Sequence, residues 1–381
     1  MAASRQNWFD CCAPADETAE MPNPKSEEIG TVVRLLSDRS PATFQASYGE
    51  CQTIIARHLK DGSEFLFALI KAAVEADVQQ DNLIIDAVSF LDDAHLARLA
   101  FFLQEEVKRG IDMEDLLAHV ALQAPELFPD GTLGDIPDFA DWLTHDDPRS
   151  PPACHHFSFE EGAPSDMSFP THRYHPTWHL PATGRQLTVG GEGSAVCPIC
   201  RERLIHLITL DDLGSELTMP LPRLRIETCA NSLESTYYSH DAAGVPTPIA
   251  PLHSPYIERP AKAAEKRTVR LAPTPKRWLR QSYGISNSRQ NLFRLGGLPS
   301  WIQGPQFPVV PGTDREMKFL LQFDSLAGFF WGSGGVLYVF WDDESRITCH
   351  PCAAIHVTKA PTPPPAGLPC RRWPGSGRAG G

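Results

Sequence analysis

The sequence predicts an α+β protein: an N-terminal all-α helical domain followed by a β-rich domain. Apolar residues recur at helical spacing over residues 26–124, whereas residues 154–349 carry short apolar runs separated by glycine and proline. The formal charge also changes along the chain, from −17 over residues 1–150 to +4 over the remainder. A chain of 381 residues is long enough for two such domains.

The helical domain is predicted over residues 26–124, after a polar, proline-containing tail at residues 1–25 that we expect to be disordered. Gly110 predicts the end of one helix, Asp112 predicts the N-cap of the next, and Pro125 predicts the end of that helix. These helices would form a bundle or a short array of helical hairpins. The periodic segments are VVRLL, CQTIIARHL, EFLFALIKAAVEA, NLIIDAVSF, AHLARLAFFLQEEVKRG and MEDLLAHVALQA.

A linker rich in proline and aspartate is predicted over residues 125–153, before the β-rich domain of residues 154–349. Within that domain, residues 259–280 hold eight basic residues and one acidic residue. We interpret this run as a connector that docks on the acidic helical domain; the alternative is a patch for phosphate or an acidic partner. The predicted strands include RLIHLITL, RLRIETC, TYYSHD, KFLLQFD and GVLYVFW.

The last segment, residues 350–381, holds seven prolines, five glycines and no acidic residue. Such a composition buries too little apolar surface to offset the entropy lost on ordering, so we expect a disordered tail. Strings of this kind also arise from a frameshift in a GC-rich gene, and on that hypothesis the pair Cys349 and Cys352 is a coincidence.

A candidate zinc site begins in the segment GGEGSAVCPICRERL, where Cys197 and Cys200 lie two residues apart around a proline. Such a tight turn lets two thiolates face one tetrahedral zinc ion. Cys229 is the predicted third ligand because it ends a strand and enters a polar turn. His175 is the predicted fourth ligand, chosen from several histidines that precede or follow the pair, and Cys349 with Cys352 forms an alternative second pair.

Two other interpretations of the Cys197–Cys200 pair stay open. The cysteines could be buried thiols without a metal, as free cysteines often are. A redox function would need a thioredoxin-like βαβ setting, which the sequence does not show.

The segment FRLGGLPSWIQGPQFP, followed by MKFLLQFDS and GSGGVLYVFW, resembles the YwqG-like family of bacterial proteins. Programmed cell death 2 proteins are similar in the same segments. The resemblance covers roughly residues 290–348, with a weaker extension back to about residue 170. The matching positions are Gly296, Gly297, Pro299, Gln322, Gly335, Leu337, Tyr338 and Phe340.

This resemblance implies a β-rich α+β fold and brings no established activity. Relatives carry a C-x-x-C and a later T-C-x-x-C, whose last position is Ser232 here, so the resemblance implies a Cys₃His site or a lost metal. The residues of the GG segment suggest a structural corner at which a sheet begins. Its glycines would adopt positive φ or allow close approach, Trp301 would anchor the corner in the core, and Gln322 would satisfy a buried backbone group.

The sequence shows neither a signal peptide nor an apolar run of membrane-spanning length, so it predicts a cytoplasmic protein with no membrane partner. It also predicts no specific nucleic-acid partner.

The preferred function is a non-enzymatic protein-interaction module, with another protein as partner and a structural zinc. The alternative is a hydrolase using histidines and acidic residues around 172–241. A nucleophile with a perturbed pKa in a pocket would favour the enzyme, and an exposed apolar or charged face would favour the binding module.

Overall fold

The computed structural model describes thirteen stretches of the chain, which include six helices near the N-terminus and a large sheet after them. The predicted tail at residues 1–25, residues 129–152 of the predicted linker and residues 354–381 lie outside the described residues. The described stretches are 26–38, 44–59, 62–79, 82–128, 153–165, 175–198, 201–229, 235–249, 265–279, 290–301, 307–326, 331 and 335–353.

The helices lie where the apolar periodicity predicts them, and their buried faces form one continuous core. Among the described residues, none of the helices combines the length and apolar character that crossing a membrane requires. The bounds are α1 Ser26–Ser37, α2 Phe44–Arg57, α3 Ser63–Glu75, α4 Asn82–Ala87, α5 Asp93–Lys108 and α6 Glu114–Gln123, with 3-10 turns at Val88–Phe90 and Pro125–Leu127.

The helix ends confirm one sequence prediction and correct another. Gly110 follows α5 with a φ of +83°, which is the left-handed conformation that ends helices at glycine. Asp112, however, is not the N-cap of α6, because that position belongs to Met113. Met113 is buried and its carbonyl accepts the N–H of Leu117, while the Asp112 carbonyl accepts a hydrogen bond from Gln79 Nε2.

The second half of the chain forms antiparallel strands, interrupted by short helical turns. The strands are β1 Cys154–Phe159, β2 Gln186–Val189, β3 Glu192–Val196, β4 Arg203–Leu210, β5 Leu224–Thr228, β6 Thr236–His240, β7 Pro246–Ile249, β8 Arg267–Pro273, β9 Arg294–Gly296, β10 Lys318–Asp324, β11 Val336–Asp342, β12 Ile347–His350 and β13 Cys352–Ala353. The helical turns are Pro176–Trp178, α7 Gly214–Leu217 and Lys276–Trp278.

These strands make one sheet that curls into a nearly closed barrel. The hydrogen-bonded order is β3-β4-β2-β8-β1-β9-β10-β11-β12-β6-β7, with β5 paired to β4 and β13 paired to β11. The two ends of the sheet approach each other where Arg225 N, in β5, donates to the carbonyl oxygen of Gly244 at 2.9 Å, just before β7. The structure thereby confirms the predicted α+β class.

Both faces of the central strands are covered, as β11 shows. Its residues alternate between two apolar clusters, with Leu337 and Trp341 in the larger one and Tyr338 and Phe340 in the smaller. Trp301 closes the smaller cluster by packing against both of those rings, at centroid distances of 4.9 and 6.0 Å. The prediction that Trp301 is an anchor in the core is therefore confirmed.

The glycine pair ends the short strand β9 rather than beginning a sheet, because β9 lies between β1 and β10 in the middle of the order. Gly296 and Gly297 have φ angles of +70° and +72°, as predicted. A Cβ on Gly296 would lie 2.1 Å from the carbonyl oxygen of Ala153. Gln322 is fully buried; its Nε2 donates to Leu292 O and its Oε1 accepts the N–H of Ser300, both at 2.9 Å. The predicted backbone role of Gln322 is confirmed.

The sheet extends past residue 349, where the β-rich domain was predicted to end. His350 is the last residue of β12, which pairs with β11 on one side and β6 on the other. Cys352 and Ala353 then pair with Leu337 and Val336 as β13. Residues 350–353 therefore belong to the barrel rather than to a tail, because β6 and β11 supply partners for their backbone.

We expect Gly296→Ala to destabilise the protein strongly, because alanine would meet the Ala153 carbonyl and would also be held at positive φ. The expected loss is about 2–4 kcal/mol in the free energy of unfolding, measured by urea titration of tryptophan fluorescence. Gly312→Ala is the matched control, since Gly312 has a φ of +79° but nothing within 4 Å of the added Cβ. It should cost about 1 kcal/mol. Equal losses in the two variants would contradict the steric explanation.

Candidate functional site

The structure brings two of the predicted zinc ligands, Cys197 and Cys229, into one buried cluster with Leu204 and Tyr238. Cys197 opens a tight turn between β3 and β4, in which its N–H donates to Glu202 O and its carbonyl accepts the N–H of Arg201. This is the kind of turn that the C-x-x-C spacing predicts.

Tyr238 connects the cysteines to the interior of the barrel. Its hydroxyl accepts the N–H of Cys229 at 3.0 Å, and burial raises the pKa of the phenol. His350 lies 4.5 Å from the Tyr238 ring between centroids, and neither of its ring nitrogens has a hydrogen-bond partner among the described residues. Burial lowers the pKa of His350 well below its ordinary value, with a further contribution from His240. The imidazole is therefore neutral near pH 7.

The described residues do not complete a metal site. Within them, no three His, Cys, Asp or Glu side chains lie close enough together to hold a metal ion. Cys200 and Ser232 lie outside the described residues. His175, the predicted fourth ligand, does not join Cys197 and Cys229 in such a group, because its imidazole packs between the rings of Phe90 and Trp278.

His175 instead belongs to the interface between the helices and the barrel. Its ring lies 5.8 Å from that of Phe90, on the helical side, and 4.9 Å from that of Trp278, on the barrel side. Its Nδ1 bonds to Thr177 Oγ1, while its Nε2 has no hydrogen-bond partner among the described residues. Burial lowers the pKa of His175 well below its ordinary value, and nearby Arg277 and His119 lower it further.

Arg277 is the polar anchor of this interface. Its Nε and Nη2 donate to Gln123 Oε1 at 2.8 and 2.6 Å, and its Nη1 donates to Asp93 Oδ1 at 3.2 Å. Lys276 lies 3.8 Å from the carboxylate of Glu126. The end of the basic run thus docks on the helical domain, as the connector interpretation expects; residues 250–264 and 280 lie outside the described residues.

Three of the histidines in the hydrolase hypothesis, His175, His206 and His240, make hydrogen bonds inside the fold, whereas His179 is exposed. His206 bonds through Nδ1 to Gly190 O and through Nε2 to Thr209 Oγ1. His240 bonds to Gly244 O and to Thr348 Oγ1. Burial is the largest cause of the lowered pKa of each. His172 lies outside the described residues.

Asp324 is a buried carboxyl that the sequence analysis did not single out. It ends β10, where its Oδ1 accepts the N–H of Ser325 while its Oδ2 has no partner among the described residues. Burial raises the pKa of Asp324 to about 7. A carboxyl with such a pKa can exchange a proton near neutrality, but the hydroxyl of the adjacent Ser325 donates to Gly335 O instead of to this carboxyl.

An open groove lies between α3 and α5 on the helical domain, and it encloses about 790 Å³. Phe101, on α5, is 68% exposed beside it, and Phe67 and Phe102 also line it. When a partner covers such an exposed aromatic ring, apolar surface is removed from water, which favours binding. The groove is therefore suited to a protein partner. The charged residues that line the groove are Lys71, Glu75, Arg98, Glu105, Glu106 and Arg109.

Comparisons of this chain with protein-family models, with curated proteins and with solved structures found no match. The resemblance of residues 290–348 to the YwqG-like family therefore stays a prediction.

Three functional features were missed at the sequence level, and two of them had a signal there. Arg277 lies in the basic run, which already suggested docking on the helical domain. Phe101 lies two residues from each of the buried Leu99 and Leu103, so the helical period places it on the opposite face of α5. Asp324 ends an apolar strand, and the sequence offers no pattern that distinguishes such a carboxyl when it is buried from one that is exposed.

The interface histidines predict a loss of stability in acid. Burial, with a contribution from Arg277, lowers the pKa of His119 from 6.5 to about 3, and its Nε2 is bonded to Ser89 Oγ. Because the unfolded chain then takes up the proton first, the free energy of unfolding should fall as the pH drops from 6.5 towards 3. The expected slope is about 1.4 kcal/mol per pH unit for each such histidine.

Urea titrations between pH 7.5 and 4.5 measure this effect, with His119→Gln as the test variant. Glutamine carries no charge in either state, so the variant should lose less stability than the wild type over this range. His95→Gln is the control, because the partners Glu64 and Asp92 raise the pKa of His95 and so give it the opposite sign. Parallel pH profiles for wild type and His119→Gln would contradict the prediction.

Proposed function

We propose that this chain is a protein-interaction module that binds a segment of another protein in the groove between α3 and α5. The single observation that carries this proposal is the exposed ring of Phe101 beside two further phenylalanines. Of the two features that would separate the candidate functions, the described part of the chain offers an exposed apolar side chain in a groove, which supports the binding module. Of the histidines in the hydrolase hypothesis, His240 is buried and His206 is half-buried, and both are hydrogen-bonded to the fold, which supports the same choice.

The proposal includes a cytoplasmic location, membership of the YwqG-like family and a structural zinc. The support for zinc is the tight turn at Cys197 and the shared cluster with Cys229, and Cys200 would supply the third thiolate. Bound zinc would tie the turn before β4 to the end of β5 and would stabilise this edge of the barrel. His175 is not retained as the fourth ligand because its neighbours are those of the domain interface.

We expect protein purified without chelator to contain about one zinc ion per chain, and Cys197→Ser to lose it. Elemental analysis of both proteins measures the content. Cys349→Ser is the matched control, since Cys349 is also buried in the barrel but lies in the apolar cluster of Trp301. Loss of zinc from the Cys349 variant alone would show that the second cysteine pair binds the metal, and a zinc-free wild type would refute the site.

The binding proposal predicts that a photo-crosslinking benzoylphenylalanine at position 101 captures a partner protein, whereas the same residue at position 309 does not. Val309 is a suitable control because it is 41% exposed and lies on the barrel. The purified partner should then bind Phe101→Ser about tenfold or more weakly than wild type, as expected for an aromatic residue central to an interface. Equal affinity for the two proteins would contradict the proposal.

A further inference from the structure

The cations that line the groove are already engaged within the helical domain. Arg98 bonds to the carboxylate of Glu64 at 2.8 Å and its guanidinium lies 4.3 Å from the centroid of Phe67. Arg109 is paired with Glu106 at 2.8 Å. The Lys71 ammonium lies 5.2 Å from the centroid of Phe102, within the range of a cation–π contact. Two of the three cations are thus paired with carboxylates, while Lys71 contacts a ring and keeps its charge.

Acidic side chains outnumber basic ones in the helical domain as a whole, whereas the groove itself is lined by three of each sign. Glu75 lines the groove, is exposed and makes no ion pair with a described residue. Beyond the groove, residues 26–124 hold 17 acidic and 8 basic side chains, a formal net charge of −9. A field of this sign attracts a cationic partner and accelerates its association.

The protein already binds one segment of the matching chemistry to its helical domain. The turn Lys276–Trp278 presents two cations and an indole to the helical domain. Arg277 contacts Gln123 and Asp93, and Lys276 contacts Glu126. The aromatic Trp278 packs within this interface through His175, which in turn contacts the helical domain. A basic segment with a large apolar side chain is therefore a chemistry that this acidic domain accommodates.

We propose, resting on the proposed function, that the occupant of the groove is a lysine- or arginine-flanked segment of a partner protein with an apolar side chain at its centre. The apolar side chain covers Phe101 between α3 and α5, and the flanking cations face Glu75 and the wider acidic surface. Burial of the Phe101 ring supplies affinity, while the charges supply orientation and rate of association.

Fluorescence anisotropy with the full chain tests this, using labelled helical peptides of one length. One has a central phenylalanine flanked by lysines, a second has the same centre flanked by glutamates, and a third has lysines around a central serine. We expect only the first to bind. Its affinity should fall about tenfold with Phe101→Ser and about threefold with Glu75→Gln, should weaken as salt rises, and should not change with Val309→Ser.

Three results would overturn the inference. Tighter binding of the glutamate peptide, lost in Lys71→Gln, would assign an acidic occupant instead. A dimer in sedimentation equilibrium that Phe101→Ser dissociates would assign the groove to a second copy of the chain. A lysine peptide that binds wild type and Phe101→Ser equally would show attraction by charge alone. The first outcome would leave the proposed interaction function intact. If benzoylphenylalanine at position 101 crosslinks no partner, the proposed interaction function itself is refuted.

Discussion

The docking of Arg277 on the helical domain is the contact that joins the two halves of this protein. The guanidinium is largely buried, so its charge needs partners inside the protein, and Gln123 and Asp93 supply them. Around it lie the rings of Trp278, His175 and His119. Burial, with a further contribution from the charge of Arg277, lowers the pKa of both histidines, so the interface holds one buried positive charge rather than three.

The sheet of the barrel is covered on both faces, so polar backbone groups near its strands are buried and need hydrogen-bond partners. Amide side chains supply several of these hydrogen bonds. Gln322 bridges Leu292 and Ser300, and Asn291 Nδ2 donates to Phe157 O while its Oδ1 accepts the N–H of Phe293. Together these two side chains satisfy four buried backbone groups near the glycine pair, which belong to Phe157, Leu292, Phe293 and Ser300.

The two proposed sites lie on different halves and rely on different physics. The thiol cluster is buried and its candidate role is structural, because a metal there would connect the turn before β4 with the end of β5. The groove is exposed, and it combines an apolar surface with charged residues around it. These features would bind a partner rather than stabilise the fold.

The sequence by itself determined the helices, the fold class and the conformation of the glycine pair. Helical periodicity and the positive φ of Gly110 and Gly296 are local consequences of residue type, so pattern analysis reaches them. The partners of Gln322 lie 22 and 30 residues away, and its role was predicted from the rule that a buried amide is hydrogen-bonded. The placement of Cys197 with Cys229 also followed from spacing and strand ends.

Only the tertiary structure decided where His175 lies, how exposed Phe101 is and that His350 belongs to a strand. Each depends on which surfaces meet across long distances in sequence. His175 is one of several histidines with similar neighbours in sequence, and only the approach of Phe90 and Trp278 selects its position. Phe101 lies on the face of α5 opposite to the buried Leu99 and Leu103, but only the packing of α3 beside α5 shows that Phe101 lines an open groove. His350 looked like the start of a tail because its partner strands, β6 and β11, are brought beside it only when the barrel closes.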